Sequence, residues 1–312
     1  MIRIALIGDI HRAWNQKDVD YFNNSDYDLL LFTGDIPDSS HNFVMTIVGR
    51  IARIQKEALF MPGNHDGVDL VQFVAELNQS SHLAERYGLQ QEKRCQHLAR
   101  ALDPVKMVGY SRHSMTIQGA SFDIIAARPH SMGGEHFNYH AYLKRRFQVG
   151  SLQESVERLK SLIDDSNAPL IFFSHNGPSG LGDRRHNIWG CDFKKEEGDY
   201  GDPDLQAAIE YAIRSEKKVI AVLAGHMHHE LQGGGERTWC EIYNNMVHVN
   251  AARVPRIFKL SGRIYHHHVG VTITDEKIIV NEVLVHNGKE TSGKTVEKSH
   301  SELNLFPDRI AK

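Results

Sequence analysis

The sequence predicts an α/β fold in which strands and helices alternate in layers. Three observations predict it. Short unbroken apolar runs recur along the chain, helix-period segments lie between them, and each run ends in a polar turn. Apolar runs of this length suit central strands covered on both faces.

The first run, 2–7, leads into Gly8-Asp9, and 29–32 leads into Thr33-Gly34-Asp35. The run 58–61 leads into Pro62-Gly63-Asn64-His65-Asp66. Further on, 170–173 leads into Ser174-His175-Asn176-Gly177, and 219–223 into Ala224-Gly225-His226. Helical patterns fall at 41–55, 152–163 and 204–213. The middle of the chain, about 80–150, is less regular. There 91–102 and 135–147 read as helical and 115–117 and 122–127 as strands, an elaboration on the main fold. After about 236 the segments 238–243, 246–249, 256–260, 265–274 and 277–285 read as consecutive strands, with Asp275-Glu276 as one hairpin turn. They suit a second sheet packed against the first. The expected organisation is one domain over 1–286 and a polar, loosely ordered tail over 287–312.

Composition narrows the function. Over 312 residues, 41% are hydrophobic and 24% charged, as in ordinary soluble proteins. The formal net charge of -3 gives no global field for nucleic acid or an anionic membrane, so an anionic substrate must be recognised locally. Cys95, Cys191 and Cys240 are scattered and odd in number, which reads as reduced thiols in a cytoplasmic protein. No apolar run approaches the ~20 residues that span a bilayer, and the N-terminal run is too short for a signal peptide.

The strand ends carry the chemistry. In open α/β sheets ligands bind beyond the carboxyl ends of the strands. Here those ends deliver Asp9-Ile10-His11, Gly34-Asp35, Gly63-Asn64-His65-Asp66, His175 and Gly225-His226-Met227-His228. Each element alone is weak; their order and shared placement are not. Two metal ions roughly 3.5–4 Å apart can clamp a phosphoryl group and supply a hydroxide nucleophile near neutral pH. Such a pair needs a shared carboxylate, neutral imidazoles and hard oxygen ligands. A nitrogen and oxygen set without thiolates points to Mn, Fe or Zn.

This order of residues resembles the calcineurin-like metallophosphoesterase superfamily, whose pattern is DxH, GD, GNH[DE], H, GHxH. Every member is present between Asp9 and His228, about two-thirds of the chain. The resemblance implies an α/β/β/α sandwich: two facing β-sheets flanked by helices, with two divalent or trivalent metal ions at one edge. It implies that Asp9, His11 and His228 bind the first metal and that Asp35 bridges. Asn64, His175 and His226 would bind the second. His65 would act near the leaving-group oxygen, oriented by Asp66. The implied activity is hydrolysis of a phosphate mono- or diester.

The protein serine/threonine phosphatases of this superfamily carry a GDxVDRG segment. Here Ile36-Pro37-Asp38-Ser39 follows Asp35 without an arginine, and the GNH motif ends in Asp66 rather than Glu. The motif thus looks more like the small phosphodiesterase and phosphomonoesterase branches, including class III cyclic nucleotide phosphodiesterases. A small phosphoester is the expected substrate. A nuclease is disfavoured because no segment is rich in Lys and Arg. A non-catalytic metal-binding scaffold is the competing reading, and the complete ligand set argues against it.

Other candidates lie around the motif. Arg12, beside His11, is either a phosphate clamp or a solvated surface residue. The Gly- and Pro-containing segment 176–185 is either a pocket wall or a plain turn, and it brings Arg184 as a substrate-binding candidate. Asp202 or Asp204 is expected to cap a helix. His266-His267-His268 lies inside a strand pattern and reads as structural or as surface, and Arg128-Pro129-His130-Ser131, which follows a strand, is a candidate to reach the pocket to which the resemblance gives no role.

Overall fold

Strand alternation explains how each apolar run is covered on both faces. In β1 (Ile2–Ile7), Ile2, Ile4 and Leu6 join one core cluster while Ala5 and Ile7 join another. The same split holds in β2 (Leu29–Phe32) and β3 (Glu57–Phe60): Leu29, Leu31 and Leu59 point one way, Leu30, Phe32, Ala58 and Phe60 the other. Period-two alternation therefore feeds two cores from each strand. The computed structural model of the protein describes residues 1–37, 44–299 and 305.

Between and after these strands come α1 (Gln16–Asn24), α2 (Val44–Ile51), α3 (Leu70–Leu77), α4 (Ser81–Leu102), β4 (Lys106–Met107), β5 (Ser111–Ile117) and β6 (Ala120–Ala126). Then follow α5 (His140–Phe147), α6 (Leu152–Asp164), β7 (Leu170–Phe173), α7 (Pro203–Arg214) and β8 (Val219–Ala224). The chain continues with β9 (Cys240–Tyr243), β10 (Met246–Asn250), β11 (Ile257–Leu260), β12 (Arg263–Ile273), β13 (Lys277–His286) and β14 (Lys289–Ser299).

Two sheets face each other. One has the order β14-β13-β12-β1-β2-β3-β4, with β11 also paired to β12; the other runs β5-β6-β7-β8-β10-β9. β1 to β4 are parallel, as are β6, β7, β8 and β10. Between the sheets, Ile4, Leu6, Leu31 and Met61 meet Phe122, Ile171, Phe173, Leu223 and Val249. On the outer face of the first sheet, Val19 and Phe22 of α1, Ile47 and Val48 of α2, and Leu98 of α4 close a second core. Leu143 of α5, Leu159 of α6 and Leu205 of α7 do the same for the second sheet. The expected α/β/β/α sandwich is the observed fold. Burial of each such side chain is worth about 1.5–3 kcal/mol, so the three clusters hold the layers together.

Three expectations need correction. The strands after 236 do not make a second sheet of their own. β9 and β10 complete the second sheet while β11 to β14 extend the first, because β12 pairs antiparallel with β1 along Ile2 to Leu6. The 80–150 stretch is not all elaboration: β6 is an inner strand, paired parallel to β7 and buried along most of its length. The tail is not loosely ordered over Lys289–Ser299. That segment is β14, bonded to β13 across a hairpin. Its register with β13 fixes it although its residues are mostly exposed. The Asp38-Ser39 part of the loop after Asp35, the start of the helix expected at 41, and most of the tail beyond Ser299 lie outside the described residues.

Candidate metal centre

The carboxyl ends of β1, β2, β3, β7 and β8 converge at one edge of the sandwich, where both sheets contribute. The sequence-predicted ligands arrive there as two groups. Asp9, His11 and His228 form one, and Asp35, His175 and His226 the other; in each, the ligand atoms lie within 4.8 Å of one another. In the first, His11 Nε2 is 3.3 Å from His228 Nε2, and Asp9 Oδ2 is 4.0 Å and 3.7 Å from them respectively. In the second, Asp35 Oδ2 is 3.6 Å from His175 Nε2, which is 2.9 Å from Asn64 Oδ1. Asp35 Oδ2 also lies 3.9 Å from His11 Nε2, so one oxygen fronts both groups.

Local backbone chemistry makes this convergence possible. His11, Arg12, Asp35 and His226 all have positive φ, at 35°, 65°, 50° and 70°. Side chains rarely accept that conformation, and it persists only where surrounding bonds enforce it. Here they do: His11 and Arg12 N–H groups donate to the carbonyls of Asp35 and Ile36 at 2.7 and 2.9 Å. The glycines of the motifs are steric requirements. A Cβ at Gly63 would fall 2.2 Å from Asp35 Oδ1 and 2.6 Å from His175 Cε1. One at Gly225 would fall 2.5 Å from Asp9 Oδ1.

The residues fit metal ions on three counts. Asp9 Oδ2 is buried without a hydrogen-bond partner, while Oδ1 accepts from Thr33 Oγ1 and from the His226 N–H. His11 Nδ1–H donates to the Pro37 carbonyl at 2.9 Å, and His175 Nδ1–H to the Thr33 carbonyl at 2.6 Å. Each donation fixes the neutral tautomer that leaves the Nε2 lone pair facing the carboxylates, an arrangement common around metal-bound imidazole. Finally, the donors are carboxylate, imidazole and amide, with no sulfur.

Electrostatics follow from packing carboxylates and imidazoles together. Burial pushes Asp35 up, but His175, His65, His11 and His226 outweigh it and hold its carboxyl well below the usual range. Burial works against the charged form of His175, yet Asp35 and Asp9 overcome it and raise its proton affinity. Burial and the neighbouring His175 lower His226 to about 3.

Asp66 has a different task from the one expected. Its carboxylate accepts the N–H groups of Asp35 and Gly63, each at 2.8 Å, and of Ile36 at 3.0 Å. It thus staples the loop after β2 to the loop after β3 rather than touching the His65 ring, since the chain turns it inward. His65 is instead held by its surroundings: its ring stacks on Phe73 at 4.5 Å and meets the His11 ring edge-on at 5.7 Å. Its backbone N–H donates to Asp35 Oδ1.

The two arginine candidates separate. Arg12 is half-buried beside the first group. Arg184 is exposed and faces Asp183 and Glu197 on its own loop, so it is not brought to the cluster. The His266-His267-His268 triplet is structural, as its alternation predicts: His266 bonds Asp18 and His268 bonds Tyr27 on one side, while His267 faces Glu282. Asp202 does stand at the N-cap of α7, but its side chain is spent on Arg128, Ser131 and Asn176.

Of the supports beneath the ligands, sequence reasoning missed Tyr139 and named His130 without giving it a role. Tyr139 donates its hydroxyl to the Asn64 carbonyl at 2.7 Å, and His130 donates to the Gly63 carbonyl at 2.9 Å. Tyr139 lies just before α5 in the irregular stretch and carried no signal. His130 had one: it follows a strand in the same way the ligands do.

Among known proteins, the family model for calcineurin-like phosphoesterases matches residues 2–230. No curated protein matches the chain. Solved structures similar to it include TT1561 of Thermus thermophilus, at 11% identity and TM-score 0.45, covering 94% of this chain and 98% of that one. Vps29 of Entamoeba histolytica, solved with Zn2+, is similar at 11% identity and TM-score 0.39, covering 95% and 99%. A conserved Streptococcus pneumoniae protein, named a predicted phosphoesterase, is similar at 9% identity and TM-score 0.36, covering 96% and 98%. The family match spans all five motifs and both ligand groups, and the chain belongs to the calcineurin-like phosphoesterase family, as a metal-dependent enzyme that hydrolyses phosphoesters.

Proposed function

We propose that the protein hydrolyses a small phosphate mono- or diester with two transition-metal ions, Mn, Fe or Zn. Asp9, His11 and His228 would hold one ion, and Asn64, His175 and His226 the other. The observation that carries this reading is Asp35 Oδ2, which lies 3.9 Å from His11 and 3.6 Å from His175, where a bridging carboxylate belongs. Bound there, the ions supply Lewis acidity to the phosphoryl group and a nucleophilic water near neutral pH. The protein's own part is to present unprotonated Nε2 atoms, to neutralise cationic charge with Asp9 and Asp35, and to aim His65. His65 is the group placed to donate a proton to the departing oxygen. Arg12, next to His11 in the chain, would be the cation that meets a phosphoryl oxygen.

Small substrates are favoured over phosphoproteins because no arginine follows Asp35 and Arg184 is paired elsewhere. A nucleic-acid substrate is disfavoured by the mild negative charge. The unpaired Cys95, Cys191 and Cys240 support a cytoplasmic location, and no described helix is long and apolar enough to cross a membrane. Elemental analysis after reconstitution with Mn is expected to give about two equivalents per chain. The loaded protein is expected to hydrolyse p-nitrophenyl phosphate or its bis-ester faster than a phosphopeptide. Trace metal only, or a phosphopeptide preferred tenfold, would sink this reading.

A further inference from the structure

We infer that Tyr139 is a positioning residue for the bridging carboxylate and for Asn64, acting through a single peptide group. The inference deepens the two-metal reading above and rests on it. The peptide between Asn64 and His65 joins the two functional side chains of the loop after β3. Its carbonyl accepts the Tyr139 hydroxyl at 2.7 Å, and its N–H donates to Asp35 Oδ1 at 2.9 Å. One rigid plane is thus held at both ends. On one side of it, Asn64 sets its Oδ1 2.9 Å from His175 Nε2. On the other, His65 stacks on Phe73. Asp35 spends Oδ1 on the peptide and keeps Oδ2 for the imidazoles, 3.6 Å from His175 and 3.9 Å from His11.

The seat for this peptide is rigid. Tyr139 is fully buried and stands just before α5 with φ 57° and ψ 29°. A bulky residue rarely takes that left-handed conformation, and it persists only where the surroundings enforce it. Here its carbonyl accepts the Leu143 N–H of α5 at 3.0 Å, and its ring lies 5.8 Å from that of His130. His130 is left-handed as well, with φ 60°. It donates its backbone N–H to the Pro62 carbonyl at 2.8 Å and its ring Nδ1–H to the Gly63 carbonyl at 2.9 Å. Three successive carbonyls of the ligand loop, those of Pro62, Gly63 and Asn64, therefore rest on two residues from the segment between β6 and α5. A buried tyrosine hydroxyl usually finds some partner. What sets this one apart is that its partner carries a candidate ligand and, one atom further on, orients the shared carboxylate.

The effect is confined to one ion. Without the hydroxyl the peptide plane is free to tilt, which loosens Asn64 and the Oδ1 anchor of Asp35 together. Asp9, His11 and His228 make no hydrogen bond to this peptide among the described residues; their bonds go elsewhere. Groups that hold metal ligands in place are typically worth 10–100-fold in metal affinity. That loss belongs to the ion that completes the pair.

The test titrates Mn2+ into the metal-free protein and follows it by electron paramagnetic resonance. Two Mn2+ ions bridged by a carboxylate couple magnetically and differ in spectrum from a lone bound ion. The parent is expected to bind about two equivalents, the second producing the coupled pair. Tyr139→Phe keeps the ring and removes the hydroxyl. It is expected to weaken the step that forms the pair about 10–100-fold and to leave the first step within about threefold. Tyr110→Phe is the matched control: Tyr110 is equally buried, and its hydroxyl donates to Ser155 Oγ at 2.7 Å rather than to a ligand loop. It is expected to leave both steps as in the parent. A parent that never binds a second ion removes the two-metal reading, and this inference with it. A parent that forms the pair and a Tyr139→Phe isotherm that matches it overturn only the positioning role. Equal weakening in both tyrosine variants overturns it too, because any loosening of the core would then suffice.

Discussion

Asp35 and His65 are hydrogen-bonded neighbours, the His65 N–H donating to Asp35 Oδ1 at 2.9 Å, yet replacing them is expected to fail in different ways. Asp35 Oδ2 fronts both ligand groups and is the one carboxylate oxygen shared between them. Asp35→Asn removes the negative charge that two close cations require, so the reconstituted variant is expected to retain about one equivalent of Mn or less. His65→Ala removes a side chain outside both ligand groups. It is expected to retain about two equivalents and to lose roughly 10²–10⁴-fold in kcat. Metal analysis of the two variants side by side checks the division of roles. Equal metal loss in both would show that His65 belongs to the ligand shell.

At the scale of elements, Arg128 ties the end of β6 to the start of α7. Its guanidinium lies 3.0 Å from Asp202 and 3.0 Å from Asp204, all three fully buried. Ser155 of α6 adds a hydrogen bond to Asp204, and Asn176, which follows His175, bonds to Asp202. One cation thus serves two carboxylates, and burial still pushes Asp202 up to about 6. Arg128→Leu leaves both carboxylates buried without a cation. The expected loss is about 3–5 kcal/mol of unfolding free energy by urea titration. Arg128→Lys is expected to recover only part of it, because an ammonium lacks the planar fork that reaches two acids. A loss below about 1 kcal/mol would mean that the network carries no net stability.

The same scale shows what the sequence can reveal. β1, β2, β3, β7 and β8 were readable because double-sided burial writes itself as an apolar run, and their ends named both candidate ligand groups. α6 and α7 were readable within a residue or so, since a polar outer face gives them a helical period. α1 was hidden: it buries only Asp18, Val19 and Phe22, too few to show a period. α3 was hidden for the opposite reason, since its apolar side is its exposed one. β14 shows almost no alternation because it is an edge strand held by its backbone, and its lysines discourage further pairing. Tyr139 and His130 act on backbone carbonyls, and no side-chain pattern encodes such a contact.

For the molecule as a whole, the surplus of histidine makes acid a specific threat. His248 of β10 and His268 of β12 are buried far from the metal ligands in sequence. Burial pushes His248 down to about 4, and burial with the charges of His267 and Arg256 pushes His268 well below the ordinary value. In the unfolded chain both titrate near 6.5. Between about pH 4 and 6.5 the unfolded chain therefore binds protons that the folded protein refuses, and stability falls as pH drops through that window. For His248 alone the full effect is roughly 3 kcal/mol. Asp18 acts in the same direction but below this window, under about pH 4, because Arg256 and His266 outweigh its burial and hold its carboxyl low. Asp202 acts the other way, since its raised affinity lets the folded protein take up a proton near pH 6. A comparison of one variant with the parent cancels these shared contributions. His248→Phe keeps a planar ring in the sheet and removes the titrating group. Urea titrations at pH 5 and 7.5 are expected to show a smaller difference in unfolding free energy for the variant than for the parent, by about 2–3 kcal/mol. An identical pH dependence in both proteins would show that His248 takes up its proton in the folded state, and the acid sensitivity would then belong to the other buried histidines, His268 among them.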